Sequence, residues 1–165
     1  MQKRSNLNEL LKELRGVLDL EIFELASEHK RYSRDFFEYS PILKEELESC
    51  RAECVVKPFS IDAVLAIAKI CRKYETPLTL RGSGTGNYGQ CVPLHGGVVM
   101  LMTSLKSIRS FDMSTGVVTV EAGCLLGDLN KYLLEKGRQL RLVPSTWQTA
   151  SVAGFIAGGS GGIGS

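Results

Sequence analysis

The sequence of 165 residues is poor in histidine and has little net charge. It holds two histidines and five cysteines, and the cysteines are scattered, odd in number and never spaced as CxxC. A metal site is therefore not predicted, and we expect reduced thiols that pack as small apolar side chains. The formal net charge of +2 is too small to indicate nucleic acid or an anionic membrane as a partner.

Long apolar runs are absent as well. Runs such as VVMLM at 98–102 are far shorter than the ~18 residues that a membrane span requires. The N-terminal residues MQKRSNLNEL do not have the pattern of a signal or transit peptide. We therefore expect a cytoplasmic protein without a membrane span, and its length fits one globular domain of roughly 100–200 residues.

Glycine is nearly absent from the first half of the chain. Gly16 is the only glycine before residue 82, and the other 16 lie between Gly82 and Gly164. Residues 1–53 are predicted to form a helical leader, because leucines recur at helical spacing from Leu7 and the segment DLEIFELASEH continues that pattern. Residues 54–165 are predicted to form a separate unit rich in loops.

From Cys54 onward the pattern predicts alternating strands and helices. CVVKP and LTLR are predicted strands on either side of a helix capped by Ser60, so 54–81 is predicted to be a βαβ unit with a parallel strand pair. VVMLM predicts a buried strand, SFDM and VVTVEA a hairpin, residues 125–136 a helix ended by Gly137, and LRLVP another strand. The predicted buried face of the first helix comprises Ile61, Val64, Leu65, Ala68 and Cys71.

The first glycine-rich segment, RGSGTGNYGQ at 81–90, directly follows a predicted strand, where α/β sheets expose their ligand crevices. Glycine lets backbone N–H groups approach an anion closely, and Arg81 adds a planar set of donors. The segment is therefore predicted to bind a pyrophosphate, and the alternative is a plain glycine-rich connector.

Two familiar nucleotide motifs do not explain this segment. Gly84, Gly86 and Gly89 match GxGxxG, but Pro93 and two further glycines follow instead of a helix, which argues against a Rossmann site. No GxxxxGK[ST] pattern is present, which excludes a P-loop.

A second glycine-rich cluster lies about 60 residues later and adds several hydroxyl side chains, at Ser145, Thr146, Thr149, Ser151 and Ser160. Two separated anion-binding segments suit one long ligand, such as a dinucleotide with a pyrophosphate bridge and a hydroxylated chain.

The order of these motifs, PLTLRGSGTGNYGQ, VTVEAG, LVPST and TASVAGFIAGGSGGIGS, resembles the FAD-binding domain of the vanillyl-alcohol oxidase and p-cresol methylhydroxylase superfamily. Within that superfamily it is most similar to the glycolate oxidase and D-lactate dehydrogenase type. The resemblance implies an α+β fold, with a small parallel βαβ subdomain, a mixed or antiparallel sheet subdomain and FAD between them. The resemblance also implies that this sequence is the N-terminal portion of such a protein. We expect it to be followed by the strands on the adenine side of the FAD site and by a substrate or cap domain.

The resemblance further implies a set of FAD-binding residues. Pyrophosphate would be held by Arg81, Gly82, Ser83, Gly84, Thr85 and Gly86. The ribityl chain and isoalloxazine ring would lie along Pro144, Ser145, Thr149, Ala150, Ser151, Gly154, Gly158 and Ser160. Relatives with covalent flavin carry histidine at the position of Thr85, so non-covalent FAD is expected.

The implied function is the FAD-binding portion of an oxidoreductase that oxidises a small 2-hydroxy acid by hydride transfer to the flavin. Its catalytic residues are expected beyond Ser165, so none is named, and the electron acceptor stays open. One alternative is a non-catalytic nucleotide-binding or interaction module that reuses the fold. Another within the superfamily is a cell-wall reductase acting on a UDP-sugar enolpyruvyl ether, which no sequence feature favours.

Overall fold

The computed structural model describes residues 2–163, so Met1 and the last two residues of the predicted FAD-binding unit, Gly164 and Ser165, lie outside the described residues. The helices are α1 (Gln2–Leu14), α2 (Ala26–Tyr32), α3 (Pro41–Leu47), α4 (Ile61–Lys73), α5 (Leu126–Leu134) and α6 (Val152–Ala157). The strands are β1 (Leu20–Phe23), β2 (Cys54–Pro58), β3 (Leu78–Arg81), β4 (Val98–Leu101), β5 (Ile108–Phe111) and β6 (Val118–Val120).

The larger sheet has four strands in the order β1-β2-β4-β3. Strand β4 pairs in parallel with both β2 and β3, whereas the prediction paired β2 directly with β3. The predicted pairing of β2 with β3 is therefore wrong, since β4 lies between them. All four residues of β4 are buried, which suits a central strand covered on both faces. Strand β3 suits the edge, since Leu80 is 57% exposed.

The predicted helix through DLEIFELASEH is wrong in part, because Leu20–Phe23 forms strand β1, antiparallel to β2, and only the last four residues of this segment belong to α2. Helix α1 ends before Gly16, and Asp19 has a positive φ of 55°, which turns the chain toward the sheet. The backbone of β1 then pairs with β2 from Leu20 opposite Pro58 to Phe23 opposite Val55. The division of the chain at residue 53 stays a prediction, but the leader contributes a strand to the sheet.

The main core lies between this sheet and helices α1 and α4. Leu10 and Leu14 of α1 are fully buried with Ile67 of α4. The hydroxyl of Ser60 accepts a hydrogen bond from Ala63 N at 3.2 Å, so the predicted cap of α4 is confirmed. The predicted buried face is wrong in part, because Ala63, Ile67 and Cys71 are buried at i, i+4 and i+8. Of the predicted face, Ile61, Leu65 and Ala68 are instead exposed.

A second core lies between the β5–β6 hairpin and α5, around Cys124, Leu129 and Leu133. The hairpin and α5 are confirmed as predicted in type and place. The predicted strand LRLVP is wrong, since its only sheet-like pairing among the described residues is one bridge between Val143 and Ile163. The N–H of Leu140 donates to Asn130 Oδ1 at 2.9 Å instead of to a neighbouring strand.

All five cysteines are free, and Cys54, Cys71 and Cys124 are buried. Over residues 2–163 the structure brings no three His, Cys, Asp or Glu side chains into an arrangement that could hold a metal ion. None of the helices in that range combines the length and apolar character needed to cross a bilayer.

Candidate functional site

A cavity of about 310 Å³ lies between two loops, and it is the candidate functional site. The first loop, residues 82–90, follows the carboxyl end of β3, and the second loop, residues 144–160, contains α6. Eleven of the fourteen predicted FAD-binding residues line it: Gly82, Ser83, Gly84, Thr85, Gly86, Pro144, Ala150, Ser151, Gly154, Gly158 and Ser160. The other three, Arg81, Ser145 and Thr149, do not line it.

The two loops touch at Gly82 and Ser151. Ser151 is 3% exposed, and its hydroxyl accepts a hydrogen bond from Gly154 N at 3.3 Å, which caps α6. A side chain on Gly82 would overlap that hydroxyl. The second loop is fixed from behind by a bridge between Leu125 and Ser151 and by the Val152 N–H, which donates to Cys124 O at 2.8 Å. The cavity walls are therefore set by packing of the loops against each other and against the second core.

The first loop offers hydrogen-bond donors to a ligand. Within residues 2–163, the backbone N–H groups of residues 83–87 donate to no protein acceptor. Consecutive unpaired N–H groups in a glycine-rich loop form a concave site for an anion such as a phosphate. Gly84 has a φ of +71°, a conformation that allows the loop to curve in this way and that other residues rarely adopt.

The rest of the lining suits the remainder of a flavin dinucleotide. Hydroxyls of Thr146 and Ser160 line the cavity, and Leu80, Pro144 and Phe155 supply apolar surface. Hydroxyl groups match a polyhydroxylated chain, and apolar side chains match a flat ring system. The volume is at the lower end of ligand cavities, about 300–1,000 Å³. The residues present therefore fit part of an FAD molecule.

Arg81 lies behind the first loop. Its side chain is 9% exposed, and Nη1 donates to the carbonyl oxygen of Arg34 at 2.5 Å and lies 3.0 Å from Cys91 Sγ. The guanidinium passes directly beneath Gly84, where an added Cβ would overlap it. In this geometry Arg81 braces the loop, and its predicted contact with pyrophosphate stays a prediction.

Seven lining residues are outside the set of fourteen FAD-binding residues that the resemblance implied: Asp35, Leu80, Gln90, Cys91, Thr146, Phe155 and Ala157. Six of them lie within or next to the predicted motifs, so their position in the sequence could have indicated that they belong to the site. Asp35 is different, because it lies 46 residues before Arg81 in the polar stretch KRYSRDFFEYSP. No local pattern marks it as a site residue.

The carboxylate of Asp35 is held by two backbone N–H groups. Oδ1 accepts from Phe37 N at 2.9 Å, and Oδ2 accepts from Gly89 N at 2.9 Å. Burial raises the pKa of this carboxyl group, while the two hydrogen bonds and the charge of Arg81 act in the opposite direction. Burial also raises the pKa of the neighbouring Cys91 thiol, against the charge of Arg81.

A glycine-rich loop with unpaired N–H groups, placed after a parallel strand and beside a cavity, is typical of the ligand sites of proteins with parallel sheets. A sequence model described as "FAD binding domain" matches residues 52–165, and the chain belongs to this family, whose cofactor is FAD. The fold class predicted from the sequence is thereby confirmed.

Two related proteins are similar over the same region. The D-lactate dehydrogenase of Anaerostipes hadrus is 32% identical over 113 residues, which cover 68% of this chain and 24% of that protein. Glycolate oxidase subunit GlcD of Bacillus subtilis is 30% identical over 111 residues, which cover 67% of this chain and 24% of that protein. The chain thus spans about a quarter of the length of the relatives it matches.

Solved structures share the fold. An alkyldihydroxyacetonephosphate synthase superposes with a TM-score of 0.77 at 18% identity, over 94% of this chain and 32% of that chain. p-Cresol methylhydroxylase with substrate bound superposes with a TM-score of 0.72 at 16% identity, over 92% of this chain and 29% of that chain. The described residues therefore have the p-cresol methylhydroxylase type of FAD-binding fold.

Proposed function

We propose that the cavity between the two loops binds FAD non-covalently. The observation that carries the proposal is the row of unpaired N–H groups at residues 83–87, because residues 83–86 of this row line the same cavity as the hydroxyl-bearing second loop. The first loop, from Gly82 to Gly86, would hold the pyrophosphate. The second loop, with Ala150, Ser151, Gly154 and Ser160 among its lining residues, would hold the ribityl chain and the ring.

Non-covalent attachment is supported by the residues that surround the cavity. Thr85, which has no nucleophilic imidazole, lines it at the position where covalent relatives carry histidine. Of the two histidines, His29 hydrogen-bonds through Nε2 to the Phe23 carbonyl oxygen at 2.7 Å, and neither histidine is among the lining residues. The Cys91 thiol also lines the wall, and burial raises its pKa, which disfavours the nucleophilic thiolate.

We further propose that the protein is an oxidoreductase of small 2-hydroxy acids. The names of its relatives indicate lactate and glycolate as their substrates, and both acids carry a hydroxyl group on the carbon next to the carboxylate. FAD, when bound, supplies the hydride-accepting chemistry. This chain's residues bind and orient the cofactor, and the polar and apolar walls of the cavity restrict water around it.

The test is a spectrum of the protein expressed from its complete reading frame, followed by acid precipitation. We expect a flavin spectrum, with all the flavin released as FAD into the supernatant. Flavin that stays with the precipitate would contradict non-covalent binding. Anaerobic addition of D-lactate or glycolate should then bleach the flavin absorbance.

The alternative function, a non-catalytic nucleotide-binding or interaction module, makes a different prediction in the same experiment. Such a module would bind a nucleotide without a flavin spectrum, or would bind FAD that no 2-hydroxy acid reduces. Binding of ADP or AMP with no binding of FAD would favour it over the oxidoreductase.

A further inference from the structure

A short segment of the leader, residues 34–37, is hydrogen-bonded to the first loop at three points. Arg81, the residue immediately before the loop, donates through Nη1 to the Arg34 carbonyl oxygen at 2.5 Å. Phe36 N donates to the Gly86 carbonyl oxygen at 2.9 Å, and Gly89 N donates to Asp35 Oδ2 at 2.9 Å. This segment precedes residues 52–165, the range that matches the family.

Asp35 is the side chain at the centre of this contact. It lies on the cavity wall, yet its two oxygens accept hydrogen bonds from Phe37 N and Gly89 N. A free carboxylate on this wall would repel the phosphates of a dinucleotide, whereas one held by backbone N–H groups has its charge partly compensated. The geometry therefore suits a role in shaping the loop better than a role in contacting the ligand.

The loop needs such support because of its composition. It contains Gly82, Gly84, Gly86 and Gly89, and two of these, Gly84 and Gly89, have positive φ values of 71° and 77°. A glycine-rich loop without an anchor samples many conformations, and ordering it on binding would weaken affinity. Hydrogen bonds at Gly86 and Gly89 hold the far end of the loop before any ligand arrives.

We infer that Asp35 is a positioning residue of the FAD site, which fixes the first loop by accepting the Gly89 N–H so that the N–H groups of residues 83–87 converge on one anion. The inference rests on the proposed function for the identity of the ligand. It assigns part of the site to the leader, outside the region that defines the family.

The test compares Asp35→Ala with Asp112→Ala in the protein expressed from its complete reading frame. The alanine methyl group accepts no hydrogen bond, so the Gly89 N–H and the Phe37 N–H both lose their acceptor. We expect the Kd for FAD to rise by about tenfold or more, the loss expected for one hydrogen bond to a charged group. The visible circular dichroism of bound flavin should change, and exchange of the Gly89 amide hydrogen should become faster.

Asp112→Ala is the matched control. Asp112 also accepts a backbone N–H, from Ser114 at 2.8 Å, but it lies in the β5–β6 turn and does not line the cavity. Its Kd for FAD and its Gly89 amide exchange should equal those of the unmodified protein. A tenfold loss of affinity in this control as well would overturn the assignment to Asp35, because the effect would then be general.

The outcomes separate the two proposals. If the unmodified protein binds FAD and Asp35→Ala binds it equally well, the positioning role is wrong while the proposed function stands. If the unmodified protein binds no FAD, the proposed function fails, and unchanged Gly89 exchange in Asp35→Ala overturns the positioning role separately.

A measurement on the unmodified protein covers the case in which Asp35→Ala does not fold. The amide proton shifts of Phe37 and Gly89 should titrate together with the Asp35 carboxyl group, followed by NMR. The other charged or titratable groups that influence this carboxyl are the Arg81 guanidinium and the Cys91 thiol, whose pKa burial raises. Independent behaviour of the two amides would refute the arrangement.

Discussion

Gly82 and Ser151 lie in direct contact, although 69 residues separate them in the chain. A Cβ built on Gly82 would lie 3.2 Å from Ser151 Cβ and would overlap the Ser151 hydroxyl. Ser151 is buried and caps α6, so it has no room to move away. This contact is where the first and second loops meet, and it sets the width of the cavity between them.

Gly82→Ala should therefore separate the two loops. The added methyl group overpacks a buried contact, which typically costs about 1–3 kcal/mol. We expect a lower free energy of unfolding in urea and weaker FAD binding by fluorescence titration. Gly161→Ala is the control, since a Cβ there meets no atom within 4 Å. Equal stability and equal affinity in both variants would show that the loops are not in contact.

Arg81→Ala should weaken FAD binding while the overall fold is kept. The substitution leaves the Arg34 carbonyl oxygen without its donor, and an unpaired buried acceptor costs about 1–3 kcal/mol. The loop above it, at Gly84, also loses its support. Calorimetric titration with FAD measures the effect, and Arg109→Ala, which removes an exposed ion pair with Glu121, is the control. Unchanged affinity in Arg81→Ala would exclude any part for this residue in the site.

The buried cysteines should resist alkylation in the native protein. Burial raises the pKa of Cys54 to about 12 and that of Cys71 to about 11, so both thiols stay protonated at neutral pH. Cys91 lies on the cavity wall, and saturating FAD should slow its reaction with iodoacetamide. Mass spectrometry of the native and urea-unfolded protein gives the sites of modification. Rapid labelling of Cys54 in the native protein would be inconsistent with this core.

The β5–β6 turn should weaken in acid because of Asp112. Hydrogen bonds from the Ser114 and Thr115 side chains lower the pKa of its carboxyl group to about 2. A carboxyl with a lowered pKa in the folded state stabilises that state fully above its ordinary value of about 3.9, and this contribution is lost as the pH falls through about 2. Asp112→Asn should remove that part of the acid dependence of thermal unfolding. If the variant has the same acid dependence as the unmodified protein, Asp112 does not make this contribution to stability.

Several elements were predictable because their signals are local. Ser60 followed by an apolar run marks the start of α4, and Gly137, with a φ of +69°, follows α5 as a glycine does after a helix. The hairpin was marked by two apolar stretches around Ser114 and Gly116. Each of these signals depends on residues within a few positions of one another.

The errors came from contacts between distant segments. Leu20–Phe23 has a helix-compatible pattern on its own, but pairing with β2 supplies backbone hydrogen bonds that an isolated segment lacks. Leu65 was assigned to the buried face of α4, whereas the direction from which the sheet covers the helix buries Ile67. Neither choice is encoded within the segment itself.

The sequence by itself determined the strand and helix types from β2 to α5, the two glycine-rich segments and the family resemblance, because glycine, proline and apolar periodicity act over short distances. Only the tertiary structure decided that β4 lies between β2 and β3, that Arg81 lies behind the first loop and that Asp35 reaches the cavity. The physical reason is that these arrangements depend on which surfaces are buried together, and burial is a property of the whole chain.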